Sequence, residues 1–133
     1  SAGGLNRINW TLSEEEIDIL ILGLGANDML RGILPKETEK NLNEIIKLSL
    51  DKKINIILAG MIAPSSYGIS YKKKFDKLYK SLSDKYNLSF IPFLLEGVAL
   101  KSEFNLQDGM HPNEKGVKII SKTIEKKIIK LLN

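Results

Sequence analysis

Apolar residues along this chain recur in two rhythms. Residues 17–24 read IDILILGL, a nearly unbroken run of branched side chains, which suits a strand whose sheet is covered on both faces. Residues 54–61 (INIILAGM) and 88–93 (LSFIPF) repeat the pattern. Between them the spacing turns helical. Leu42, Ile45, Ile46 and Leu50 make the stripe of a helix predicted from Pro35 to about Asp51. Tyr71, Phe75, Leu78, Tyr79, Leu82 and Tyr86 mark a second helix, an aromatic stripe that reads as core. Val117, Ile120, Ile124, Ile128 and Leu131 mark a last one, with Asn113 as its cap after Pro112. Leu5, Ile8 and Leu12 predict a short opening helix after Gly4 that carries Trp10, joined to the first strand by the acidic link of residues 13–16. Residues 94–107 are of mixed character, with room for a short helix.

Three buried strands alternating with helices give a βαβαβα order. Right-handed crossovers then make a parallel sheet with helices on both sides, an α/β fold of three α/β/α layers. Residues 17–24 read as a central strand, and the carboxyl ends of all three strands share the edge where open α/β sheets bind ligands. Along that edge the sequence places Asn27, the loop of residues 62–68 and, through the connection after the third strand, residues 108–111.

With 133 residues and 43% hydrophobic content, the chain is expected to be one domain with one core. It contains no cysteine, which excludes disulfides, thiolate-bound metal and a thiol nucleophile. No apolar run approaches the length of a membrane span. The 20 Lys and Arg against 16 Asp and Glu are spread along helices. Lys72, Lys73 and Lys74 read as a solvated helix face, not as the basic stripe with exposed aromatics that nucleic acid needs. No nucleic-acid partner is expected.

Two short segments carry candidate chemistry. After Leu24 come Gly25, Ala26, Asn27 and Asp28, permissive and polar residues that turn the chain at the end of a strand. A carboxamide held there can aim its NH2 donors at a fixed point, so Asn27 is the first candidate. Asp108-Gly109-Met110-His111 is the second, and His111 is the only histidine. An aspartate accepting from Nδ1 would fix the tautomer and leave Nε2 free to take a proton. The same spacing also suits two residues that cap the following helix.

In combination these segments resemble the third and fifth blocks of the SGNH (GDSL) hydrolases, in the bacterial branch of arylesterases, acyl-CoA thioesterases and lysophospholipases. Residues 1–5 (SAGGL), residues 27–32 (NDMLRG), Ala63-Pro64 with Tyr67-Gly68, and residues 108–113 (DGMHPN) look like that branch in order and spacing. The resemblance spans essentially the whole chain. It implies a flavodoxin-like fold and a serine esterase or thioesterase working through an acyl-enzyme without cofactor or metal. His111 would be the general base, Asp108 its orienter and Asn27 the oxyanion donor. The substrate would be a small-molecule acyl ester or thioester, with Met29, Leu30 and Met110 either touching its acyl chain or serving as loop anchors. Many relatives of this branch are exported, so the resemblance suggests a periplasmic or secreted location, while the residues themselves leave the compartment open.

The sequence departs from the family at its start. Gly-Asp-Ser occurs nowhere, and the glycine block after the family's second strand is also absent. Ser65 and Ser66 lie in a loop without an elbow of the Gly-x-Ser-x-Gly kind, and read as pocket or turn residues. The expectation is a carboxyl-terminal part of such a hydrolase, lacking its first two strands and inactive alone. Its exposed strand 17–24 would pair with an upstream segment or a second chain. A non-catalytic pseudoenzyme, binding an acyl ligand or a partner, is the alternative. Nucleotide binding through Gly23-Leu24-Gly25 is disfavoured, because Asp28 stands where the fingerprint needs glycine and would repel a pyrophosphate.

Overall fold

The structure, a computed structural model, describes residues 1–13 and 16–133. Glu14 and Glu15 of the predicted acidic link therefore lie outside the described residues. The chain divides into two compact units, Ser1–Pro92 and Phe93–Asn133.

The first unit is built on a parallel three-stranded sheet of β1 (Ile19–Leu22), β2 (Asn55–Ala59) and β3 (Ser89–Ile91), in that spatial order. Its helices are α1 (Ala2–Thr11), α2 (Ala26–Leu30), α3 (Pro35–Asp51) and α4 (Ile69–Tyr86). Leu20 stands opposite Ile56, Leu22 opposite Leu58, and Leu58 opposite Phe90. These side chains share one face of the sheet. Against it α1, α3 and α4 bring Ile8, Leu42, Ile45, Ile46, Phe75 and Tyr79 into a single core cluster. Leu42 is completely buried, so its truncation to alanine is worth about 2–5 kcal/mol.

Several expectations shift. β1 is shorter than residues 17–24 and lies at the sheet's edge; β2 is the central strand. The pattern explains this, since Ile56, Ile57, Leu58 and Ala59 are all buried while Ile21 is 41% exposed. Asn27 sits on no strand end: residues 26–30 form α2, where a turn was expected. Leu50 is excluded from the α3 stripe, and Ser49 is buried in its stead, its hydroxyl donating to the Ile45 carbonyl at 2.8 Å. That local bond lets a serine enter an apolar interior without an orphaned group. The opening helix begins at Ala2, before the two glycines, and Trp10 is exposed. Lys72 is engaged by Asp76 at 2.6 Å and by the Ala63 carbonyl at 2.8 Å, while Lys73 and Lys74 are solvated as expected.

The second unit carries α5 (Glu114–Leu132) behind a series of turns, among them a 3-10 turn at Ser102–Phe104 in the segment of mixed character. Gly116 permits close approach here. A Cβ at that position would collide with the Phe104 carbonyl oxygen and meet Val98 Cγ1 at 3.0 Å. The predicted α5 stripe is only partly covered, with Val117 and Leu131 exposed. Among the described residues no helix is long and apolar enough to cross a membrane.

Candidate active site

In the first unit the chain leaves β1 through Gly23 and Leu24 and bends at Gly25, whose φ of 121° is a conformation other residues rarely adopt. The Gly25 carbonyl accepts the first helical bond of α2, from Met29 N–H at 3.0 Å. Asn27 is exposed on this helix, and among the described residues its carboxamide makes no hydrogen bond. Its neighbour Asp28 is buried. One Asp28 oxygen accepts from the Ser1 nitrogen at 2.5 Å, the other from the Ser1 hydroxyl and from Thr38 at 2.9 Å. Burial raises the Asp28 pKa, while the hydrogen bonds from Ser1 and Thr38 lower it. Of the two candidate acyl contacts on α2, Met29 is 9% exposed and belongs to the core, whereas Leu30 is 47% exposed.

In the second unit, residues 105–112 form a loop closed by an isolated antiparallel bridge between Asn105 and Pro112 and by the Leu106 N–H to His111 carbonyl bond of 2.8 Å. Gly109, with φ of 69°, makes the tight bend. At its tip, Asp108 Oδ1 accepts the backbone N–H groups of Met110 at 2.9 Å and His111 at 3.0 Å, and Oδ2 lies 2.6 Å from His111 Nδ1. The backbone N–H and the imidazole of His111, with the N–H of Met110, pull the exposed Asp108 carboxyl down to a pKa of about 2. It is therefore ionised at neutral pH and fixes the ring's orientation. The helix cap is Asn113, which accepts from Gly116 N–H at 3.1 Å; Asp108 takes no part in it. His111 Nε2 makes no hydrogen bond among the described residues, and Met110 beside it is 55% exposed.

The expected residues thus fall into two groups, Asn27, Met29 and Leu30 in one unit and Asp108, Met110 and His111 in the other. Periodicity overlooked Thr38, Asn41, Asn105 and Tyr79's hydroxyl. Thr38, Leu42, Ile45 and Ser49 follow helical spacing, so a threonine in register with an apolar stripe was the available clue. Asn105 is buried and ties the loop down by donating to the Val98 and Lys101 carbonyls, both at 2.7 Å.

The sequence matches the family model of the GDSL-like Lipase/Acylhydrolase family over residues 2–119. The chain belongs to this family. As a GDSL-like family member it is 32% identical over 132 residues to an arylesterase of Vibrio mimicus, covering 99% of this chain and 66% of that protein. It is 30% identical over 133 residues to thioesterase 1/protease 1/lysophospholipase L1 of Escherichia coli strain K12, covering all of this chain and 64% of the relative. The chain thus spans slightly less than two thirds of these relatives' length. Among solved structures, the psychrotrophic esterase EstA from Pseudoalteromonas sp. matches with a TM-score of 0.90 at 31% identity, over 98% of this chain and 72% of that one. The α/β fold expected from the resemblance, seen in this chain as a parallel three-stranded sheet flanked by helices, matches that esterase over the aligned residues.

Proposed function

We propose that this chain supplies the general base, its orienter and one oxyanion donor to a serine ester or thioester hydrolase. The observation that carries the reading is the Asp108 Oδ2 to His111 Nδ1 contact of 2.6 Å, made at an exposed loop tip with Nε2 unengaged. A serine hydroxyl attacks the acyl carbonyl while His111 Nε2 takes its proton. The Asn27 Nδ2 group donates to the oxyanion that forms. Collapse expels the alcohol or thiol, which leaves with the proton from His111. Water then repeats the sequence on the acyl-enzyme, releasing the acid and free serine. Asp108, ionised throughout, stabilises the imidazolium in both halves. Leu30 and Met110 contact the acyl portion, and Met29 anchors α2 to the core.

The nucleophile comes from outside these 133 residues, because Gly-Asp-Ser is absent from them. The same reading pairs the open side of β1 with a strand from that added segment, since among the described residues β1 pairs only with β2. A fluorophosphonate probe tests the assignment. The isolated chain should remain unlabelled, and the chain preceded by its encoded upstream residues should label, with the labelling lost in His111→Ala. Strong labelling of the isolated chain, abolished by the same substitution, would place the nucleophile within it and refute the split. Ligand binding without turnover by the extended polypeptide would favour the pseudoenzyme.

A further inference from the structure

α2 carries Asn27 outward, but what fixes this helix lies on its buried side, and the inference drawn from it rests on the reading of Asn27 as an oxyanion donor. A helix of five residues cannot sustain itself in water. Nor does Gly25, at its amino end, offer a capping side chain. Met29 anchors the helix to the core, and two hydroxyls from neighbouring helices bond its entry. Tyr79 of α4, almost completely buried, donates to the Leu24 carbonyl at 3.0 Å, immediately before the bend. Thr38 of α3, completely buried, donates to Asp28 Oδ2 at 2.9 Å, immediately after Asn27. Both helices press on the bend itself. A Cβ at Gly25 would fall on the Tyr79 hydroxyl and lie 3.3 Å from Thr38 Cγ2. Ser1 and Asn41 complete the polar ring, Asn41 Nδ2 donating to the Ser1 hydroxyl at 2.9 Å.

Valine at 38 and phenylalanine at 79 would fill the same volumes but leave the Asp28 carboxylate and the Leu24 carbonyl each short of a donor, a cost that any buried acceptor would bear. What the hydroxyls add is direction. They bracket a bend in which Gly25 and Asp28 are buried and Asn27 is exposed. We propose that Thr38, Asp28 and Tyr79 are positioning residues that keep the Asn27 carboxamide on its aim, Thr38 through the Asp28 carboxylate and Tyr79 through the Leu24 carbonyl. None of the three needs to touch substrate. Their effect is on turnover, because an oxyanion donor acts only when it is already in place as charge develops.

The test uses the full polypeptide in which this chain is encoded. Asn27→Ala should lower kcat about 10²–10³-fold, the usual effect of losing one oxyanion donor. Thr38→Val and Tyr79→Phe should each lower kcat about tenfold, in keeping with the cost of misplacing a reacting group by a fraction of an ångström. KM should stay within about twofold, and Thr38→Ser should restore most of the rate, since it returns the hydroxyl. In the same full polypeptide, the backbone order parameter of Asn27 should drop from the rigid range near about 0.85 toward about 0.6 in both variants. If Thr38→Val fails to fold, Tyr79→Phe, which removes one oxygen and keeps the ring, carries the same measurements. A loss of kcat in Asn27→Ala with both hydroxyl variants at the wild-type rate would overturn the positioning role alone. Unchanged turnover in Asn27→Ala would overturn the oxyanion reading, and the positioning role with it.

Discussion

At the scale of single residues, the two aspartates of the candidate site sit in different surroundings. Asp28 is buried, and the donors packed around it oppose the rise that burial causes. Asp108 is exposed, and its pKa of about 2 comes from three nearby N–H groups, the largest effect being the His111 backbone and the next its imidazole. The second case can be read directly in solution. Following the side-chain carboxyl carbon of Asp108 by NMR from pH 6 to pH 1.5 should give a midpoint near 2, well under the usual 3.8. His111→Ala removes the imidazole but keeps both backbone donors, so its midpoint should lie between those values. An unchanged midpoint in His111→Ala would show that the ring does not hold the carboxylate, and the orienter role of Asp108 would fall with it.

At the scale of elements, the open side of β1 makes its own prediction. Unpaired N–H and C=O groups beside exposed Ile21 form a template for other strands. The isolated chain should therefore self-associate with rising concentration, and Ile21→Lys should suppress this in light scattering without altering the sheet's circular dichroism. Equal association in the variant would place the sticky surface elsewhere. Periodicity read the strands and long helices well because each has a large apolar stripe or run to bury. α3 was located from Pro35 to Asp51, and all three strands were found, each longer than its ladder. What escaped was decided by tertiary contacts. α2 has no stripe of its own and exists because Met29 is in the core and Asp28 is bonded to Thr38. Ser49 takes the place expected of Leu50 because its hydroxyl is satisfied within its own helix. The Asp108 and His111 pair was legible because four residues suffice to make it, whereas Tyr79 reaches Leu24 across 55 residues of sequence.

At the scale of the whole molecule, these local shifts set how the chain responds to acid. Asp108 has a folded-state pKa below the unfolded value, so it contributes stability that is fully present above about pH 4. That contribution is lost as pH falls through the folded value, for Asp108 between about 4 and about 2. In that window the unfolded chain binds more protons than the folded one, and stability must rise with pH. The net charge of +4 at neutral pH grows as carboxylates protonate, and its self-repulsion acts in the same direction. Asp108→Asn separates the two effects. It removes one linked proton and leaves the rest of the charge distribution in place, so its urea midpoint should fall less steeply between pH 5 and pH 2.5 than that of the wild type. Parallel curves would mean that general repulsion alone governs acid unfolding, and that the bond between Asp108 and His111 contributes nothing measurable to holding the Phe93–Asn133 unit together.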